Sequence, residues 1–258
     1  VQCGQSATVF VFPGHPHPVP GGVLDAVRGL LMSDSAFSDQ MRSCESAFAE
    51  FVDWSLMDVL RRGFDEHGLA RREVWEPVDF AMMVSVATHD RTLGVAPDAV
   101  IGQSYGEIAA AYVAGALTLR DAARLITSPA NRIRDAEPTD HEEVELTREA
   151  LLDELDGLRP NHTDTEFIST VTGAALDTEI LDVEYWFANL RQPPLTEHAV
   201  RWAYERGYHT FVESTLEPVL ATDIQDWLSL RRGRQESANP SAHPICPSKP
   251  SDFDMARY

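Results

Sequence analysis

Residues 98–117, DAVIGQSYGEIAAAYVAGAL, join two predicted elements through a sharp turn. The first part, Asp98–Gly102, is a short apolar run typical of a buried strand. The second part, Ser104–Gly115, is rich in small residues and predicts a helix. The turn carries the pattern G-x-S-x-G around Ser104, and a strand, this pattern and a helix in succession are typical of a nucleophile elbow.

The elbow pattern has a chemical reason. Gly102 and Gly106 leave room for the sharp turn on either side of Ser104, and the helix that follows directs its first amides at the serine. Such amides stabilise the negative charge of an oxyanion. Because a five-residue pattern also occurs by chance, a structural serine in a turn is the alternative.

The rest of the chain alternates strand and helix patterns. Predicted strands cover Thr8–Phe12, Asp98–Gly102, Glu166–Val171 and His209–Val212. Predicted helices cover Ala36–Leu60, Val78–Leu93, Ser104–Gly115, Thr118–Ile126, Glu142–Leu158, Tyr185–Leu190, Thr196–Arg206 and Pro218–Leu230. This alternation predicts an α/β domain with a short, mostly parallel sheet flanked by helices. We expect the domain to span 1–230 and a linker or tail to follow at 231–258.

Composition excludes several classes of protein. The 258 residues include 41 acidic and 21 basic side chains, a formal charge of -20, so we expect no nucleic-acid partner. Three widely spaced cysteines predict neither a disulfide framework nor a metal site, and they indicate a cytoplasmic protein. We also expect no membrane span and no secretion signal.

Residues 98–126 resemble the acyltransferase domains of modular polyketide synthases, which are relatives of the malonyl-CoA:acyl-carrier-protein transacylases. The resemblance continues, in the same order, outside this run. It extends to Val9–Gly14 (VFVFPG), Ser35–Leu60, Val78–Val95, Phe167–Leu190 with its STVTG and YW…NL motifs, and Tyr208–Leu220.

The resemblance implies an α/β-hydrolase-like core and a ping-pong reaction. Ser104 would take an acyl group from a coenzyme A thioester and pass it to an acyl carrier protein, without a bound cofactor. The backbone amides of His15 and Tyr105 would form the oxyanion hole. The implied partners are the carrier protein and a ketosynthase in the same polypeptide, in a pathway such as antibiotic biosynthesis.

The family's catalytic histidine corresponds to one of two residues here. An alignment without a gap places Asp140 at that position, and one deleted residue places His141 there. We favour His141, because imidazole titrates near neutral pH and serves as a general base. A solvated residue at a helix start is the alternative.

The chain is shorter than the family pattern. Only 36 residues lie between Ser104 and His141, where the family has a small ferredoxin-like subdomain that forms one wall of the substrate cleft. We expect this subdomain to be missing and the cleft to be open to water. A degenerate, inactive module for docking, or a thioesterase, is therefore an alternative function.

The substrate-binding residues also depart from the pattern. Gln103 stands where the family usually has histidine, and Pro129 stands where it has the arginine that binds the carboxylate of a malonyl group. Arg132 and Arg134 lie nearby, and we expect Gln103 and Arg132 to contact the substrate. Ordinary surface charge is the alternative for both arginines.

Two further expectations concern the late part of the chain. An esterase of the α/β-hydrolase type would place its histidine late, and His209 is the candidate for that less favoured function. An acidic carrier protein would need a local basic patch, for which Arg191, Arg201, Arg206 and the cluster at 231–234 are candidates.

Overall fold

The computed structural model describes residues 7–14, 21–62, 71–130 and 141–238. Its centre is one five-stranded sheet in the order β4-β3-β2-β1-β5. The strands are β1 (Thr8–Phe12), β2 (Ala99–Gly102), β3 (Glu166–Ser169), β4 (Ala174–Leu176) and β5 (Thr210–Glu213). All neighbours pair in parallel except β3 and β4, which are antiparallel.

The first strand of the chain lies inside the sheet. Val9 pairs with Ala99 of β2 on one side and with Phe211 of β5 on the other. Because β1, β2, β3 and β5 run in the same direction, their carboxyl ends meet at one edge of the sheet. Ligands and catalytic groups of open α/β sheets gather at this edge.

Ten helices are described. They are α1 (Gly21–Ser33), α2 (Ser35–Phe48), α3 (Leu56–Arg62), α4 (Arg72–Thr92), α5 (Gly106–Ala114), α6 (Leu119–Thr127), α7 (His141–Glu154), α8 (Val183–Arg191), α9 (Thr196–Glu205) and α10 (Ala221–Ala238). A short 3₁₀ turn covers Thr178–Ile180. The mixed α/β architecture predicted from the alternating pattern is confirmed.

Helices bury both faces of the sheet. Phe10 and Phe12 of β1 belong to a core shared with α1 to α6. Val9 and Val11 alternate with them and join a second core beneath α9 and α10. This two-sided burial explains why the strands are uninterrupted apolar runs in the sequence.

Several predicted boundaries were wrong. The helix predicted over 36–60 is two helices, because Ser55 caps a new start: its hydroxyl accepts from the amide of Asp58 at 3.1 Å and donates to Glu45 at 2.7 Å. Helix α4 begins at Arg72, so Pro77 lies inside it rather than at its start.

Three further differences concern elements near turns. Helix α1 was not predicted, because the Pro- and Gly-rich residues before it hide its apolar period. Strand β4 was not predicted, since it has only three residues. Helix α10 continues past residue 230 and ends at Ala238. The division into a domain at 1–230 and a linker or tail at 231–258 stays a prediction.

Candidate functional site

Ser104 occupies a strained turn at the carboxyl edge of the sheet. Strand β2 ends at Gly102 and helix α5 begins at Gly106, so the turn has only three residues. Ser104 has φ +55°, and it is the only residue other than glycine with positive φ among those described. Such a conformation costs of order 1–3 kcal/mol and persists only where the surroundings enforce it. The serine side chain is half-buried.

The two glycines of the pattern are required by close contacts. A Cβ atom added to Gly102 would overlap the backbone of Glu107, and one added to Gly106 would overlap the carbonyl of Phe12. The first turn of α5 therefore lies directly against the ends of β1 and β2. This geometry is that of a nucleophile elbow. The catalytic role of Ser104 stays a prediction, with a structural serine in a turn as its alternative.

The loop after β1 lies beside the nucleophile. The amide of Gln103 donates to the carbonyl of Phe12 at 2.8 Å, which extends the pairing of β1 and β2 to the turn. A Cβ atom on Gly14 would overlap the Gln103 carbonyl and lie 3.0 Å from the Cβ of Ser104. His15, the next residue, lies outside the described residues, so its role in an oxyanion hole stays a prediction.

A buried carboxyl group lies behind the elbow. Glu107 is completely buried, and its Oε2 accepts from the hydroxyl of Tyr185 at 2.7 Å and from the amide of Asn189 at 2.8 Å. Its Oε1 accepts from the backbone amide of Thr170 and, at 3.0 Å, from the Thr170 hydroxyl. Glu107 therefore joins α5 to the loop after β3 and to α8.

The electrostatics of this cluster follow from its burial. Desolvation raises the pKa of Glu107, and the hydrogen bonds from Tyr185, Thr170 and Asn189 oppose that rise. Burial and the negative charge of Glu107 together raise the pKa of Tyr185. Tyr185 also lies 2.7 Å from the Oγ of Ser169, so its hydroxyl has partners on both sides.

Asn189 connects this cluster to the nucleophile. Its Nδ2 donates to Glu107 and also, at 3.2 Å, to the backbone carbonyl of Ser104. The amide of Glu107 donates to the same carbonyl at 3.1 Å. The peptide unit between Ser104 and Tyr105 is therefore held on its carbonyl side by two donors.

The side chain of Tyr105 is buried against α4. It is 1% exposed, its hydroxyl donates to Asp79 of α4 at 2.6 Å, and its ring packs edge-on against Trp75 at 5.5 Å. Arg72 lies 5.7 Å above the ring of Trp75 and bonds Glu76 at 2.8 Å. The residue after the nucleophile is thus anchored in the core.

The other predicted site residues are placed only in part. His141 is the first residue of α7, and its side chain lies outside the described part of the chain. Asp140, Arg132 and Arg134 also lie outside it. Gln103 is half-buried in the elbow, and Pro129 is exposed. The roles assigned to Gln103, Arg132 and His141 stay predictions.

The C-terminal end of α6 is tied to the C-terminal end of α7. The hydroxyl of Ser128 donates to Glu154 at 2.5 Å, and Arg124 donates to the carbonyl of Asp156 at 3.0 Å. Burial raises the pKa of Glu154, and its bond to Ser128 opposes that rise. These contacts hold the two helix ends together, and the absence of the family's small subdomain between α6 and α7 stays a prediction.

His209 lies at the wrong edge of the sheet for catalysis. It immediately precedes β5, whereas Ser104 follows β2, and the two strands run in the same direction. Its ring packs against Tyr204 at 4.7 Å. This placement removes the residue on which the esterase alternative rested.

Two kinds of feature are absent from the described residues. No group of three or more His, Cys, Asp or Glu side chains there is arranged to hold a metal ion. Within the same residues, no helix combines the length and the apolar character of a membrane span.

Four residues of the site were not predicted as functional: Asp79, Thr170, Tyr185 and Asn189. Asp79 has a visible signal, because it is an acid within the apolar run of α4. The others lie in the STVTG and YW…NL segments, which were used for the resemblance without a role for single residues.

Comparison with protein families gives a match over the elbow. The family described as "Acyl transferase domain" matches residues 9–139, about half of the chain. A mycoketide-CoA synthase of Mycobacterium tuberculosis is 39% identical over 286 residues, covering 85% of this chain and 7% of the synthase. An erythronolide synthase of Saccharopolyspora erythraea is 34% identical over 284 residues, covering 84% and 9%.

Two properties of these alignments bear on the length of the chain. The chain spans less than a tenth of these two synthases. The aligned span of 286 residues exceeds the 258 residues of the whole chain, so it contains residues of the synthase without a counterpart here.

Solved structures give the same picture of the fold. A loading acyltransferase from the avermectin modular polyketide synthase superposes with a TM-score of 0.76 at 30% identity, covering 87% of this chain and 92% of that one. The acyltransferase domain from module 8 of the salinomycin polyketide synthase gives a TM-score of 0.76 at 32% identity, covering 87% and 68%.

Proposed function

Because this chain belongs to the acyltransferase domains of polyketide synthases, we propose that it transfers an acyl group from a coenzyme A thioester through Ser104 to an acyl carrier protein. The observation that carries the proposal is the elbow itself. Ser104 is held at φ +55° between β2 and the first turn of α5, and this geometry exposes a serine hydroxyl to a substrate.

The first half-reaction forms an acyl-enzyme. The Oγ of Ser104 attacks the thioester carbonyl as His141 takes its proton, and the C–S bond breaks when the tetrahedral intermediate collapses. The proton on His141 then passes to the coenzyme A thiolate. The amides of Tyr105 and His15 stabilise the oxyanion of the intermediate. Support for Tyr105 comes from its position at the start of α5.

The second half-reaction moves the acyl group to the carrier. The thiol of the carrier's phosphopantetheine attacks the acyl-serine ester and gives its proton to His141. The C–O bond to Ser104 then breaks, and the proton on His141 passes to the Oγ of Ser104, which restores the free enzyme. The partners in this proposal are the carrier protein, which accepts the acyl group, and a ketosynthase of the same polypeptide, in the cytoplasm. The small share of the two synthases that the chain spans supports a multidomain context.

The carrier binds a basic patch on α8 and α9. Arg191 ends α8, Arg201 pairs with Glu197 at 2.6 Å, and Arg206 lies 3.7 Å above the ring of Trp202. Replacement of Arg201 and Arg206 by glutamine is expected to slow transfer to an acidic carrier and to leave acyl-enzyme formation unchanged. An unchanged rate of transfer would exclude this surface.

The acyl group is of the malonyl type or related to it. Gln103 and Arg132 contact it in this proposal, and Arg132 takes over the bidentate recognition of a carboxylate that Pro129 cannot provide. One other function is a docking module without activity. It is favoured by the residues of the synthase that have no counterpart in this chain, because a substrate cleft that lacks one wall excludes water poorly.

Intact mass spectrometry tests the proposal. The protein is mixed separately with malonyl-, methylmalonyl- and acetyl-CoA, and Ser104→Ala serves as the control. We expect a mass gain that depends on Ser104, and the donor retained identifies the acyl group. A folded protein that gains no mass with any donor would favour the docking module.

A further inference from the structure

We propose that Asp79 is a positioning residue, which holds the Tyr105 peptide in the orientation that its N–H needs to stabilise the oxyanion. This inference rests on the proposed function, because it assigns the Tyr105 amide to the oxyanion hole. It concerns a residue of α4 that lies 26 positions from Tyr105 in the sequence and joins it through a buried hydrogen bond.

The contact between the two side chains is enclosed. Asp79 and Tyr105 are each 1% exposed, and the phenol donates to Oδ2 of Asp79 at 2.6 Å. Trp75 lies one helical turn before Asp79 and packs its ring at 76° to that of Tyr105. The tyrosine ring is therefore fixed by a directional hydrogen bond at its tip and by an aromatic contact along its edge.

The opposite side of the same peptide unit is also fixed. The carbonyl of Ser104 accepts from Asn189 at 3.2 Å and from the amide of Glu107 at 3.1 Å. In a trans peptide the C=O and N–H groups point in opposite directions. The Tyr105 N–H thus points away from Asn189 and Glu107, and its direction is set by contacts at both ends of the unit.

A hydrogen bond between Tyr105 and Asp79 fixes the position of the tyrosine side chain more strictly than an apolar contact would. An apolar side chain after the nucleophile can slide along α4 at little cost, whereas the phenol must keep its distance and angle to Asp79. Burial of the carboxyl group carries a desolvation penalty, so the pair is a poor source of stability by itself. Its effect is to fix the first turn of α5 against α4.

A double variant separates the effect on the orientation of the Tyr105 peptide from the effect on the stability of the protein. Tyr105→Phe with Asp79→Leu removes the donor and the acceptor of this hydrogen bond at once, so neither is left facing the other unpaired. Urea unfolding of the double variant gives its stability, against which the change in rate is read. We expect the maximal rate of Ser104 acylation to fall about 10- to 100-fold, below the loss from deleting a whole oxyanion donor. The concentration of acyl-CoA at half-maximal rate is expected to stay the same, because the ground-state contacts remain.

A second reagent makes the readout independent of the acyl donor. An alkyl fluorophosphonate bonds to the serine oxygen with loss of fluoride, and its phosphoryl oxygen occupies the oxyanion hole. The double variant is expected to react more slowly by a similar factor. Tyr112→Phe is the matched control, because Tyr112 lies in the same helix and bonds Gln40 at 3.1 Å, and its rate should equal that of the unaltered protein.

Asp79→Asn keeps an acceptor for the phenol, so its rate of Ser104 acylation is expected to stay within about threefold of that of the unaltered protein. This single variant also tests the proposal if the double variant does not fold. A double variant as fast as the unaltered protein, or Asp79→Asn as slow as the double variant, would overturn the positioning role alone. An unaltered protein that reacts with neither reagent would overturn the proposed function, and the positioning role with it.

Discussion

The side chain of Asn189 donates a hydrogen bond to the backbone carbonyl of Ser104, 85 residues earlier in the chain. The same nitrogen donates to the buried carboxyl of Glu107. One amide of α8 therefore connects the strained turn to the polar cluster behind it. This relationship makes α8 part of the structure that holds the turn at Ser104 in place.

Asn189→Ala is expected to slow acylation of Ser104 about tenfold, because the carbonyl of the strained residue loses one of two donors. The measurement is the single-turnover rate of acyl-enzyme formation by intact mass. Asn161→Ala is the control, since Asn161 contacts Ala116 and Thr178 through its backbone. Equal rates in both variants would contradict a role for Asn189 in holding the turn.

Glu107→Gln is expected to lower the free energy of unfolding by about 1–3 kcal/mol. The carboxyl of Glu107 accepts from donors on both oxygens, so an NH₂ group in either orientation must face a donor. Urea unfolding measures the loss, and Glu217→Gln at an exposed position is the control. A loss no greater than that of Glu217→Gln would show that the donors rearrange freely.

Gly102→Ala and Gly29→Ala are expected to act in opposite directions. A Cβ on Gly102 overlaps the backbone of Glu107, which cannot move without α5, so we expect a loss at the upper end of about 1–3 kcal/mol. Gly29 lies within α1 with open space around it, so alanine there should add about 0.5–1 kcal/mol. Thermal unfolding of both variants checks the signs, and a stabilised Gly102→Ala would contradict the close packing.

Asp34 is expected to confer stability that depends on pH. Its carboxyl caps α2 by accepting from the amide of Phe37 at 2.6 Å and lies 3.0 Å from His89. The Phe37 amide, aided by His89, holds the pKa of Asp34 below its ordinary value of 3.8. The contribution is therefore complete above pH 3.8 and is lost as the pH falls through the lower value of the folded state.

Comparison of urea unfolding for Asp34→Ala and the unaltered protein tests this effect. At pH 7 the loss should be about 0.5–2 kcal/mol, as for other helix caps, and it should shrink toward pH 3. Asp39→Ala, which removes an exposed ion pair with Arg42 in the same helix, is the control and should cost less than about 1 kcal/mol. A loss for Asp34→Ala that is independent of pH would contradict the charged cap.

The periodicity of apolar residues alone predicted most helices and strands. It failed where a local hydrogen bond determines where a helix begins or ends. The apolar spacing of Phe37, Met41, Cys44 and Phe48 is correct, and all four are buried. The same spacing continues through the break at Ser55, because two helices that pack on one core keep one apolar pattern. Only the capping hydroxyl of Ser55 marks the interruption.

The part of the site that is formed by residues adjacent in sequence could be predicted. The contacts between residues far apart in sequence could not. Ser104 and its glycines are adjacent in sequence, so a short pattern identified the turn. The partners of that turn, Asp79 and Asn189, are brought to it by α4 and α8. No spacing in the sequence encodes those contacts, since they depend on how helices dock on the sheet.

The interior position of β1 has a consequence for synthesis on the ribosome. β1 emerges first, yet its register with β5 joins Thr8 to Thr210, near the end of the described chain. Contacts of such large separation form late and slow the folding of a domain. One edge of β1 therefore lacks its partner until β5 has been translated, and a nascent chain that stalls earlier presents this unpaired strand edge to its neighbours.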